Sequence, residues 1–262
     1  MATNGYTTTP ESLSEETIQQ YRKDGFVSIQ GIISKEEAAR FRQAALDAQK
    51  HFKSLTGGER SRIFTQLVNV WTDDEEMSVL TLHPNVAAVA EKLAGVPLRL
   101  WHDHILIKQP HNNAPTEFHQ DQPYWPHVNS THALSAWIAL VDVPVEKGCM
   151  TFIPGSQAMT ELPSQDLSDE HDLMRKSPEL IWKPRVTVPL QAGDCTFHHA
   201  RTAHMATSNF TDDPRVAHIV IYIDASTVYT GKAHVVSDPV GLEPGKLLEG
   251  KYFPTVEEII AR

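Results

Sequence analysis

The chain has 262 residues, with 23 Lys and Arg against 33 Asp and Glu, a formal charge of −10, and 14 His, 17 Pro, 13 Gly and 2 Cys. The acidic balance and the lack of any basic run argue against a nucleic-acid or anionic-membrane partner, since both need clustered cations. The longest apolar stretches, such as Ile219 to Ile223, fall far short of the ~20 residues that span a bilayer.

Residues 1–10 are polar and Thr-rich, with no basic leader ahead of an apolar segment, and the two cysteines, Cys149 and Cys195, stand alone inside apolar runs. Both features read as a cytoplasmic protein with buried free thiols. The length fits one domain over 1–262, with 1–12 expected as a flexible tail.

Glu15 to Asp24 has helical spacing (Ile18, Tyr21, Arg22) and stops at Gly25, and Phe26 to Ile29 then alternates as a strand. Ser34 and Glu37 form a capping box for a helix whose inner face carries Ala38, Phe41, Ala45, Ala48 and Phe52. Asp73 to Glu76 reads as a solvated helix start, and Pro84 to Gly95 as a helix with Val86, Val89, Ala90 and Leu93 as its stripe.

From Leu98 the period changes to two. Short strands are expected at Leu100 to Lys108, Glu117 to Asp121, Leu134 to Val143, Met150 to Ile153, Arg185 to Val188, Asp194 to His198 and Val216 to Ile223. The acidic segment Thr160 to Lys183 reads as an insertion or lid. Many short strands broken by turn residues point to a sandwich or barrel with a helical layer, and no glycine-rich phosphate loop is present.

Within this framework His119-Gln120-Asp121 would end a strand, where residues i and i+2 project to one face. A third ligand is available downstream in His198, His199 or His204. Two His and one carboxylate leave three positions open on an octahedral metal, which suits a non-haem Fe(II) that binds a chelating cosubstrate and dioxygen. Arg215, eleven residues after His204, shares a strand face with Ala217, Ile219 and Ile221, so its guanidinium points into an apolar interior and needs an anion; a ligand carboxylate fits its rigid fork.

These residues, with their surroundings, resemble the phytanoyl-CoA dioxygenase family of Fe(II)/2-oxoglutarate-dependent oxygenases. The similar segments are YRKDGFVSIQGIIS (21–34), HDHILIKQP (102–110), FHQDQPYWP (118–126), GCMTFIPGSQ (148–157) and GDCTFHHARTAHMATSNFTDDPR (193–215), in the family's order. The resemblance implies a mainly β fold with α, a double-stranded β-helix (jelly roll, cupin-like) flanked by N-terminal helices. It implies His119, Asp121 and His204 as catalytic iron ligands, and Arg215 as the residue holding the distal carboxylate of 2-oxoglutarate. Trp137, Gln66 and Ile105 are implied as further cosubstrate contacts, with O2 as co-reactant. The retained Asp121, absent in related halogenases, implies hydroxylation or another oxidation of a small molecule.

Two positions depart from the family pattern. Ala206 stands where a cosubstrate-bonding Ser is common, so Thr207 or another donor would have to serve, and Gln157 replaces a common His.

His102 and His104 share a strand face and are candidate substrate-pocket residues, an exposed edge being the alternative. Tyr124 and Trp125 are candidate pocket walls, or else ordinary aromatic core. His199 is expected to support the iron site or to pack, and His51, His83, His111, His171 and His234 to lie on the surface. The substrate expected is a small polar or natural-product molecule. The family alternative is an acyl-CoA, though no Arg or Lys cluster meets its phosphates. The other class is a non-catalytic cupin-like binder of metal or a 2-oxo acid.

Overall fold

The computed structural model describes residues 7–55, 63–159, 166, 169 and 171–262. In chain order, the first part holds α1 (Glu15–Asp24), β1 (Phe26–Ile29), α2 (Lys35–His51), β2 (Thr65–Val68), α3 (Glu75–Thr81), α4 (Pro84–Ala94) and β3 (Leu98–Lys108). The second part holds β4 (Thr116–His119), β5 (His127–Val128), β6 (Leu134–Ala139), β7 (Met150–Phe152), α5 (Asp172–Lys176), β8 (Val186–Val188), β9 (Cys195–His199), β10 (His204–Ala206), β11 (Arg215–Asp224), β12 (Val228–Tyr229) and α6 (Val256–Ile260).

Local chemistry sets the helix ends as the sequence indicates. Ser34 and Glu37 close a reciprocal capping box, and Gly25 ends α1 at φ 79°, where a side chain would strain the backbone. Asp74 caps α3, whose first turn is the acidic run. The expected tail is tied down from Thr7 onward: its amide bonds to the Gly31 carbonyl (3.0 Å), and Asn85 donates to the Thr8 carbonyl (2.9 Å). Residues 1–6 lie outside the described residues.

The strands form a six-stranded sheet in the order β1-β9-β6-β11-β3-β2 and a four-stranded sheet in the order β4-β10-β7-β8, all pairs antiparallel, with β5 and β12 as a separate ribbon. Residues of both large sheets line one cavity, so the two sheets face each other in a jelly roll. The other face of the large sheet meets the helices. On that side Thr81 of α3 donates to Asp103 of β3 (3.0 Å), and His218 of β11 contacts the same hydroxyl.

Two strands end earlier than the period indicates, β4 at His119 and β6 at Ala139. Of the segment 160–183, residues 160–165, 167–168 and 170 lie outside the described residues. Its second half packs inward, with Leu173 and Leu180 buried against Ile153 and Ala203, next to His204. Among the described residues no helix is long and apolar enough to cross a membrane.

Candidate metal centre

His119 and His204 are direct register partners across β4 and β10, so their rings meet at 4.3 Å between centroids. Asp121 is not on the strand. It caps a 3-10 turn (Gln122–Tyr124) in helical conformation, held because the amides of Asp121 and Gln122 both donate to the Ala200 carbonyl (2.9 and 3.1 Å). The shared face expected from strand phase is therefore made by a turn instead. Asp121 Oδ1 lies 3.6 Å from His119 Nε2 and 3.7 Å from His204 Nε2, and one ligand atom from each of the three residues falls within 4.8 Å of the others.

The orientation of the rings is fixed from behind. His119 Nδ1 donates to the Glu117 carbonyl (2.7 Å) and His204 Nδ1 to the Thr202 carbonyl (2.9 Å), so each Nε2 keeps its lone pair for the space they share. Burial, with the neighbouring His119, pushes the His204 pKa down to about 3 and keeps the ring neutral. Burial acts to raise the Asp121 carboxyl, but the imidazoles of His204, His198 and His119 outweigh it and hold the group well below the usual carboxylate range. Ser135 donates to Asp121 Oδ2 (3.0 Å), leaving Oδ1 turned to the histidines. Two imidazoles held with Nε2 turned inward and one carboxylate are a donor set that fits a divalent iron.

In the lining of the same cavity Arg215 opens β11 and is only 1% exposed. Its Nη1 donates to the Leu106 carbonyl (3.2 Å), its guanidinium carbon lies 5.3 Å from the centre of the Trp137 ring, and its Nε has no partner among the described residues. Burial lowers its pKa to about 10, which leaves it charged at neutral pH. No carboxylate of the described residues pairs with it. A buried cation with an unused donor fits the carboxylate of a ligand.

The cavity, of about 310 Å³, contains the iron-ligand candidates together with Arg215, Trp137, Gln66, His102, His104, Tyr124 and Trp125. Ile105 is the exception. It lies on the opposite face of β3, two residues from Asp103 on the helix side, and Leu106 takes the place on the cavity wall. The alternation is right, but β3 is buried on both faces, so hydrophobicity does not say which face is inner.

The same ambiguity exchanges the roles of the two adjacent histidines. His198 faces the centre with Nε2 3.6 Å from Asp121 Oδ2, whereas His199 turns outward to the Thr131 carbonyl (2.9 Å) and accepts from the Arg201 amide (3.0 Å). Two other histidines expected on the surface are buried or line the cavity. His83 packs against Glu37 at 3.5 Å, and His234, on a loop after β12, joins the cavity wall.

Thr207 does not replace the missing Ser, because its hydroxyl donates to the Val145 carbonyl (2.8 Å). Thr116 is in the right place. The β4–β10 register shifts between His119↔His204 and Thr116↔Ala206, so β4 carries one extra residue, a β-bulge. The bulge lets both His119 and Thr116 line the cavity although they differ by an odd number of positions. Lys108, directly opposite Arg215 in register, is fully buried with its Nζ donating to the carbonyls of Thr207 (2.7 Å), Ala114 (3.2 Å) and Ala206 (3.4 Å), and burial together with Arg215 pushes its pKa down to about 6. It ties the ends of β3 and β10 together beside the anion position.

A family model, phytanoyl-CoA dioxygenase (PhyH), matches residues 21–217. The chain belongs to the phytanoyl-CoA dioxygenase family. Among its curated relatives, a probable phytanoyl-CoA dioxygenase of Caenorhabditis elegans is 26% identical over 238 residues, covering 81% of this chain and 76% of the relative. Two solved structures are similar over nearly their whole length. The non-haem α-ketoglutarate-dependent carbocyclase SnoK from nogalamycin biosynthesis is 38% identical with a TM-score of 0.85, covering 95% of this chain and 98% of that one. The epimerase SnoN, solved in complex with Fe3+, α-ketoglutarate and nogalamycin RO, is 40% identical with a TM-score of 0.79, covering 92% and 98%.

Proposed function

We propose that this protein is a non-haem Fe(II)/2-oxoglutarate-dependent oxygenase, one domain over 1–262, that oxidises a C–H bond of a small natural-product-like molecule. The observation that carries this reading is the pairing of two features in one cavity. Two backbone-oriented imidazoles and a carboxylate converge on one point, and a buried arginine without a carboxylate partner among the described residues lines the same cavity. His119, Asp121 and His204 would hold the iron, and Arg215 would hold the distal carboxylate of 2-oxoglutarate. Bound there, iron supplies the coupling of 2-oxoglutarate decarboxylation to succinate and CO2 with oxidation of the substrate by dioxygen.

The chain's own residues orient and enclose. Glu117 and Thr202 carbonyls fix the tautomers of the two ligand histidines, and Ser135 and His198 hold the second carboxylate oxygen of Asp121. Trp137 lies beneath the Arg215 guanidinium, Thr116 offers a hydroxyl opposite Ala206, and Gln66 lies in register with Leu106, whose carbonyl anchors Arg215. Met150, Met205 and Ala206 make part of the cavity wall apolar, which keeps water from the reacting atoms.

The test is anaerobic addition of Fe(II) and 2-oxoglutarate. The expected result is a weak visible charge-transfer band, then succinate formation on admitting air with a substrate. Absence of both would favour the non-catalytic binder. The likeness to a carbocyclase and an epimerase at 38% and 40% identity favours a second outcome beside hydroxylation, ring closure or inversion at the oxidised carbon. Product mass separates the three as gain of one oxygen, loss of two hydrogens, or no change. Among the described residues lining the cavity Arg215 is the only Lys or Arg, and it faces the cosubstrate carboxylate in this reading, which speaks against the phosphates of an acyl-CoA. The buried free thiols of Cys149 and Cys195 support a reducing compartment, the cytoplasm.

A further inference from the structure

A second polar constellation lines the cavity, and apart from Gln66, which reaches from the cosubstrate side, its members have no part in holding iron or 2-oxoglutarate. Gln66 of β2 places its Nε2 3.2 Å from His104 Nδ1, and His104 Nε2 lies 2.8 Å from His102 Nε2, so three side chains form one hydrogen-bonded row along the wall. His234 closes over the row, its ring centre 6.0 Å from that of His102 and 5.5 Å from that of Trp101. All four polar residues line the cavity.

The chemistry of this wall is narrow. Burial pushes the His104 pKa down to about 4 and lowers those of His102 and His234, so the imidazoles are neutral at neutral pH. Gln66 and His102 take both nitrogens of His104, and the Val236 amide takes His234 Nδ1, so a ligand is left the second edge of the Gln66 amide and the Nε2–H of His234, neither of which offers a charge. Around them Tyr124, Trp125 and Val68 are flat or apolar, and Val235, half exposed, extends the apolar lining. Among the described residues this row supplies no cation for an anionic head group, and an aliphatic polyol would waste the aromatic faces. An aromatic ring system carrying hydroxyl groups satisfies both, because a phenolic oxygen can donate to the Gln66 amide oxygen and accept from the His234 Nε2–H while its ring packs on indole.

We propose that the Gln66–His104–His102 row with His234 is the recognition subsite for the primary substrate, and that this substrate is an uncharged, hydroxylated aromatic ring system bound through its phenolic oxygens. The proposal rests on the oxygenase reading for what is then oxidised, but the subsite is testable apart from it.

The experiment titrates the full chain, loaded anaerobically with Fe(II) and 2-oxoglutarate, and follows quenching of tryptophan fluorescence. The probes are 1,4-dihydroxyanthraquinone, unsubstituted anthraquinone and palmitoyl-CoA. The expected result is at least tenfold tighter binding of the dihydroxy compound than of anthraquinone, no saturable binding of palmitoyl-CoA, and collapse of the tenfold preference to within about twofold in His104→Phe and His234→Phe. Equal binding of the two quinones, an unchanged preference in both variants, or tighter binding of palmitoyl-CoA would overturn the proposal. The comparison of probes on the unmodified protein decides the matter even if a variant does not fold. The charge-transfer band, read on the same samples, reports on iron and cosubstrate separately. A band without hydroxyl preference sinks the subsite alone, and a preference without a band sinks the oxygenase reading alone.

Discussion

Two groups of histidines share one cavity and are held in opposite ways. His119 and His204 are each pinned by a backbone carbonyl two residues earlier, so one nitrogen is committed and the other is presented in a single tautomer. His102 and His104 are held by each other and by Gln66, and a flip of one amide reverses every donor and acceptor along the row. Pinning by backbone suits a metal, which needs lone pairs converging at fixed positions. Mutual bonding suits an organic ligand, to which the row adapts by moving protons rather than atoms.

The largest break in this contrast comes from removing a pinned group. Asp121→Ala and His204→Ala are each expected to reduce iron-dependent succinate formation to background. Unchanged turnover in His204→Ala would transfer the ligand role to His198, which also reaches Asp121. Arg215→Ala comes next. Losing a charge-assisted carboxylate contact of ~3 kcal/mol should raise the KM for 2-oxoglutarate by about a hundredfold with a smaller change in kcat; steady-state kinetics at saturating iron measure the split.

Smaller effects fall on groups that act through others. Ser135→Ala frees Asp121 Oδ2 and should weaken iron binding by about tenfold, read by titrating the apoprotein with Fe(II). Thr116→Val should raise the KM for 2-oxoglutarate about fivefold, the worth of ~1 kcal/mol for one hydrogen bond, with Thr116→Ser restoring it. If Thr116→Val has no effect, the bulge in β4 serves His119 alone.

The remaining prediction concerns pH and histidines outside the iron set. Burial lowers the pKa values of His104, His127 and His199 to about 4 and of His218 to about 3. As pH falls below ~6.5 the unfolded chain takes up protons that the folded chain refuses, so stability is lost between about pH 6.5 and 4, at ~1.4 kcal/mol per pH unit for each group. Asp103, pushed up to about 7 by burial, runs the other way and offsets one of the four. Melting temperature should therefore fall progressively below pH 6.5 in thermal scans, and a flat profile down to pH 5 would contradict the burial of these rings.

The iron end was readable because its residues are few, chemically distinctive and set in long stretches of family-like sequence. The helix caps were readable because Ser34, Glu37 and Gly25 act locally. What stayed hidden depends on facts the period of a sequence does not carry. On β3 and β9 both faces are buried, so alternation could not tell Leu106 from Ile105 or His198 from His199 as the inward residue. Thr116 needed the bulge, Ser135 needed the β6–β9 register that places it opposite His198, and His234 sits on a loop with no period to read. Nothing in the sequence around Lys108 shows that three carbonyls from two segments, Ala114 and Ala206 with Thr207, gather around its buried Nζ.

The direct pairing of His119 with His204 has a consequence for how such a chain can evolve. The two proposed ligands meet through strand register, so the length of chain between them is free to drift while the register is not. Extra residues spliced into the exposed stretch around Lys183 and Pro184 should leave the iron position untouched, whereas a single residue inserted within β10 would pull the ligands apart. New substrate-facing segments can thus be acquired between the two halves of the metal centre without disturbing the chemistry they serve.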